Sequence, residues 1–208
     1  MAITEVGEVG IHLEDENVRV LLRPSLLAMA SLGQPEEIVE LFARVMGTDP
    51  RIEDCAAVLM ACCAEEDVAK VSDLVGHPQA IYPPVHRKLH WHAASWVPGK
   101  MPLQDVLHLA RCLLKHGVVG VVKSKSKRPK ETTIDSGYKE EFDAHSWASV
   151  AIAHLGMSEQ AAWSMTMTGL LAALNTKFPP KPEAGENAPS VEEYESTMAW
   201  FEQVTAAR

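Results

Sequence analysis

LLRPSLLAMASLGQPEEIVELFARVMG, Leu21 to Gly47, contains the change of pattern that decides the fold. Upstream of it, Val9, Ile11 and Leu13 alternate with Gly10 and His12, and the alternation resumes at Val18, Val20 and Leu22 after the polar run Glu14-Asp15-Glu16-Asn17. Two period-2 segments around a short polar loop predict a β-hairpin, residues 3–23. Pro24 ends the second strand. From there the apolar positions follow a helical period: Leu26, Leu27, Met29, Ala30 and Leu32 run to Gly33, a natural helix stop. Pro35, with Glu36 and Glu37 behind it, opens the next helix, since proline's missing N–H costs nothing in a first turn and the carboxylates meet the positive end of the dipole. That helix carries Ile38, Val39, Leu41, Phe42, Val45 and Met46 to Gly47.

Downstream the reading stays helical. One helix starts near Asp49-Pro50 and carries Ile52, Cys55, Ala56, Leu59, Met60 and Cys63, and another spans Asp67 to Val75. Between His77 and Met101 periodicity fails and four prolines occur, which predicts a long irregular connection with at most one short helix around Val85 to Trp96. Pro102 opens a helix through Val106, Leu109, Ala110, Leu113 and Leu114 to Gly117, after which Val118 to Val122 reads as a short apolar run or strand. Helices resume from Glu140 to Leu155. Ser158 then stands where an N-cap belongs, and the stretch Met157 to Phe178 reads as one helix. Its main stripe is Trp163, Met167, Leu170, Leu171, Leu174 and Phe178, with Met165, Gly169, Ala172 and Ala173 on a second, smaller face about 160° away on an ideal helix. The polar linker after Pro179-Pro180 divides a domain of residues 1–180 from a tail of residues 181–208. In that tail Ser190 and Glu193 have capping-box spacing, and Val191, Tyr194, Met198, Phe201 and Thr205 trace a short amphipathic helix. The fold class is therefore mostly α, a helical domain with an N-terminal β-hairpin and a C-terminal amphipathic helix.

Composition narrows the function. The 208 residues carry a formal charge of −9, which disfavours nucleic-acid and anionic-membrane partners for the body of the protein. KSKSKRPK, Lys123 to Lys130, is the exception, but its five basic residues have no interleaved aromatic for stacking on bases and read as a solvated loop. Cys55, Cys62, Cys63 and Cys112 fall in apolar periodic segments and suit neither a disulfide framework nor a metal knuckle, which implies a reducing compartment. No basic-then-apolar leader and no membrane-length apolar run is seen, so a cytosolic protein is expected.

Two constellations invite a catalytic reading. His86, His90 and His92 in HRKLHWH have spacings that a metal site uses, but no HExxH-type carboxylate accompanies them. Cys112 and His116 are four apart, as in an activated thiolate pair. His116, however, sits in the last turn before Gly117, where an imidazolium would cap the dipole. With no Gly-rich phosphate loop, no G-x-S-x-G and no paired carboxylates in an apolar setting, neither a catalytic residue nor a cofactor is expected. The methionines fit either a helical core or a surface that adapts to partners of variable shape.

Three segments, Leu21 to Phe42, LARCLLKHGVVG (Leu109 to Gly120) and AHLGMSEQAAWSMTMTGLLAALNTKFP (Ala153 to Pro179), resemble the tail assembly chaperones of long-tailed bacteriophages. The resemblance implies a helical, non-catalytic protein of the host cytoplasm. Such a protein binds the tape-measure protein, keeps it soluble, supports assembly of the tail tube, and self-associates. On that reading the contact residues are Trp163, Met165, Met167, Leu170, Leu174 and Phe178, assisted by Tyr194, Met198 and Phe201. A structural virion protein, either a minor tail or a tail-completion protein, is the alternative. A metal-dependent enzyme built on His86, His90 and His92 is the third.

Overall fold

A computed structural model describes residues 2–13, 18–79, 95–121 and 141–179. The chain divides into two compact units, Met1–Leu174 and Asn175–Arg208. The first is mostly helical and begins with the expected hairpin. Strands β1 (Val9–Leu13) and β2 (Val18–Leu22) pair antiparallel with Val9 opposite Leu22 and Ile11 opposite Val20. The period-2 pattern has its usual consequence: Val20 and Leu22 are buried while Leu21, between them, is exposed. Just before β1, a 3-10 turn at Thr4–Val6 brings the Ile3 N–H to 2.8 Å from a carboxylate oxygen of Glu8. The other oxygen accepts from Arg23 Nε at 2.6 Å, so the buried Glu8 is both paired and hydrogen-bonded.

Helix α1 (Leu26–Ala30) follows, capped by Ser25, whose hydroxyl accepts from the Ala28 N–H. Helices α2 (Pro35–Met46) and α3 (Ile52–Cys62) lie beyond it. Gln34 donates its N–H to the Glu37 carboxylate at 2.7 Å, which gives α2 the start its Pro-Glu-Glu run predicts. Helix α4 (Val68–Val75) leads into strand β3 (Gly76–Gln79), which pairs antiparallel with β4 (Ser95–Pro98). This ribbon corrects the reading of residues 77–101 as irregular at its two ends, where β4 takes Trp96; the rest of the short helix expected around Val85 to Trp96 lies outside the described residues. Pro78 and Pro98 hide a strand pattern that cross-strand pairing nevertheless supports, because a two-stranded ribbon has edges where a missing N–H costs nothing.

Helix α5 (Leu103–Leu114) is packed against α3 at the centre of the unit. Val58, Leu59, Val106, Ala110, Leu113 and Leu114 are almost fully buried there. Arg111, on α5, reaches the carbonyls of Val45 (2.9 Å) and Gly47 (2.7 Å), satisfying the orphan acceptors at the end of α2. Val118 and Val119, the start of the expected apolar run or strand, belong to a π turn at Lys115–Val119, and among the described residues the run forms no strand. Gly117 explains why the turn packs so tightly: a Cβ there would stand 2.6 Å from Met29 Sδ and 3.1 Å from Pro24. Gly120 closes it with φ 78°, a conformation that glycine adopts without strain.

Helix α6 (Ala144–Leu155) begins four residues later than the pattern suggested, because Asp143 caps it by accepting from the His145 and Ser146 amides. The larger correction concerns Met157 to Phe178. It forms two helices, α7 (Glu159–Ser164) and α8 (Met167–Lys177), separated at Met165 and Thr166. Ser158 caps α7 as expected. Thr166 is the cause of the break, since its hydroxyl accepts the Gly169 N–H at 3.1 Å and so starts a new helix.

Candidate partner-binding groove

The break between α7 and α8 organises the surface around Trp163. Once the chain is extended at Met165, its carbonyl is free to accept the Leu26 N–H at 2.7 Å, an otherwise orphan donor in the first turn of α1, and Ser25 bridges to Thr166. Backbone hydrogen bonds thus tie α1 to α7 and leave an open groove of about 530 Å³ between them. Arg23, Ser25 and Leu27 form one wall. Glu159, Gln160, Trp163 and Ser164, at helical spacing on α7, form the other. Leu27 is 60% exposed, so an apolar side chain lies open on this wall. Trp163 is held by His145 of α6, whose ring meets the indole edge-on with centroids 4.7 Å apart.

The residues expected to contact a partner separate on this framework. Trp163 lines the groove. Met165 is half-buried in the connector, and Leu174 is half-buried against the core. Met167 (3% exposed) and Leu170 (0%) are core residues and present no surface to a partner, which corrects their assignment as contacts. The single stripe joining them to Trp163 does not exist, because Thr166 resets the helix between them. Phe178 is exposed in the second unit, where Lys177 Nζ lies 5.8 Å from its ring centroid. Tyr194, Met198 and Phe201 lie outside the described residues.

Arg23, Ser25, Leu27, Glu159, Gln160 and Ser164 were missed as groove residues. Their signals were present: adjacent leucines at the start of a five-residue helix cannot both face one core, and a threonine inside SMTMTG is a second N-cap.

Other clefts have a different character. One of about 420 Å³ is ringed by Glu37, Glu40, Arg44 and Asp54 and is closed on itself by an Arg44–Asp54 pair at 2.8 Å, which raises the Arg44 pKa. Another of about 340 Å³ lies beside β1, with Val9, Ile11, Met101, Pro102 and Leu109.

Burial pushes the thiols of Cys55, Cys62 and Cys63 up from their ordinary value, the wrong direction for a nucleophile. His116 is not a charged helix cap. Its Nδ1 lies 2.9 Å from the hydroxyl of the buried Thr168, which also accepts the Val121 N–H, and burial followed by the charge of Lys115 lowers its pKa. The imidazole belongs to a structural network joining the π turn to α8. Among the described residues no three His, Cys, Asp or Glu side chains converge to hold a metal. His86, His90 and His92 lie outside the described residues. Among the described residues, too, no helix is long and apolar enough to cross a membrane.

A model of a family of unknown function (DUF6246) matches residues 50–196, most of the chain, and the chain belongs to that family. No curated protein and no solved structure matches it.

Proposed function

We propose that this member of the DUF6246 family is a non-catalytic assembly chaperone of a long-tailed bacteriophage, working in the host cytoplasm. It holds an elongated tail protein, the tape-measure protein, in soluble form while the tail tube assembles. The observation that carries this reading is the groove between α1 and α7. An exposed Leu27 faces a half-buried Trp163 across walls fixed by backbone hydrogen bonds. A preformed apolar groove lowers the ordering cost of binding, and capture of an amphipathic helix in such a groove needs no catalytic group. Tryptophan at the centre of an interface is the residue type that most often dominates its energy.

The experiment is co-expression of this chain with a tape-measure protein of a long-tailed bacteriophage. The client should move from the pellet to the soluble fraction and co-purify. Leu27→Asp, at an exposed position that leaves the fold intact, should return it to the pellet. An insoluble client with the wild-type chain present would overturn the proposal. Mass spectrometry of purified particles separates the alternative: a chaperone is absent from the virion, whereas a minor tail or tail-completion protein is present in it.

A further inference from the structure

The charges around the groove are not balanced, and the imbalance specifies an occupant. Arg23 faces the groove, but its Nε and one terminal nitrogen are committed to the carboxylate of Glu8, which is 2% exposed. That pair is neutral as a unit, and its guanidinium is held in place rather than free to swing toward a ligand. Across the groove, Glu159 is exposed and enters no ion pair among the described residues. Its place in the first turn of α7 favours a carboxylate locally without cancelling its charge. Because Glu159 and Trp163 are one helical turn apart, the negative charge borders the apolar floor. The chain as a whole carries −9, so the long-range field has the same sign.

We propose that the groove selects a cationic amphipathic helix from its partner, an apolar anchor entering between Leu27 and Trp163 with Lys or Arg beside it facing Glu159. This rests on reading the groove as a partner-binding site. Other occupants fit less well. Anionic lipid and nucleic acid are repelled by the net charge. The chain's own basic run, Lys123 to Lys130, contains no large apolar residue to serve as the anchor if a second copy offered it.

Two synthetic helical peptides with the same Leu/Phe face, one flanked by Lys and the other by Glu, test the proposal by calorimetric titration of the full chain. The basic peptide should bind about tenfold more tightly at low salt, the gap narrowing at high salt. Glu159→Lys should weaken the basic peptide by about threefold or more and strengthen the acidic one. Leu27→Asp should remove both. Equal affinities, or a preference untouched by Glu159→Lys, would overturn the proposal. So would sedimentation of the peptide-free protein as an oligomer that Leu27→Asp dissociates, because a second copy would then fill the groove. The two readings fail separately: a client solubilised without any peptide preference refutes charge selection alone, and a basic preference without client solubilisation refutes the chaperone alone.

Discussion

Helices α7 and α8 come from one apolar stretch and meet opposite fates. On α7, Ala162 is buried while Trp163, Glu159 and Gln160 open onto the groove, so the helix is half wall and half core. On α8, Met167, Thr168 and Leu170 are sealed within the first unit. What separates them is the pair Met165-Thr166, where the chain leaves helical geometry, accepts the Leu26 N–H of α1 at the Met165 carbonyl and restarts under a threonine cap. A few extended residues therefore decide which large side chains stabilise the fold and which remain for a partner. The two roles can be separated by substitution.

The core side of the comparison carries the largest effect. Leu170→Ala removes a side chain with no exposed surface and should cost about 2–5 kcal/mol of unfolding free energy in urea. An unchanged midpoint would mean that α8 is not walled in. The junction itself is worth less. Thr166→Ala deletes the N-cap of α8 and should cost about 1 kcal/mol, read by the same denaturation. If the chain then simply continued as one helix, helicity by circular dichroism would rise, and the groove, having lost its backbone tie, would bind partner less well.

The boundary between these fates was only partly legible in the sequence. The hairpin and the helices α1 to α5 follow from periodicity and punctuation, because Pro24, Gly33, Pro35, Gly47 and Pro102 act through local backbone sterics that any fold must respect. The break at Thr166 was not taken from the pattern. A threonine in a helical run competes for an amide locally, and whether it wins depends on a distant acceptor need, here the unsatisfied N–H of Leu26. The groove inherits that dependence, which is why Trp163 was identified and Leu27, on a segment far away in sequence, was not. Pairing of Gly76–Gln79 with Ser95–Pro98 is non-local in the same way.

A smaller effect tests the network that anchors the core side. The pKa of His116 is held below the ordinary imidazole value of 6.5, so between the two values the unfolded chain binds a proton that the folded one does not. The contribution of this group to stability is complete above pH 6.5 and is lost as pH falls through that value toward the folded pKa. His116→Gln retains an amide donor for Thr168 and should flatten the dependence of melting temperature on pH below 6.5. An unaltered slope would assign that dependence to other histidines.

The smallest effect on stability belongs to the groove, and it is the sharpest test of the comparison. Leu27 shares α1 with the buried Leu26 and Met29 but is 60% exposed, so most of its surface is already in water and truncation removes few contacts. Leu27→Ala should shift unfolding by no more than about 0.5 kcal/mol, the usual range for a surface substitution, and alanine's helix propensity slightly offsets the loss. If the groove takes an apolar anchor, the same change should weaken partner binding by about tenfold, because the buried methylenes lost at an interface are worth about 0.8 kcal/mol each. Binding and stability measured on Leu27→Ala and Leu170→Ala then form a crossed pair. Leu170→Ala should lower the unfolding free energy while the fraction still folded binds at normal affinity, and Leu27→Ala should do the reverse. A large stability loss from Leu27→Ala would place that side chain in the core after all, and the α1–α7 surface would lose its anchor point.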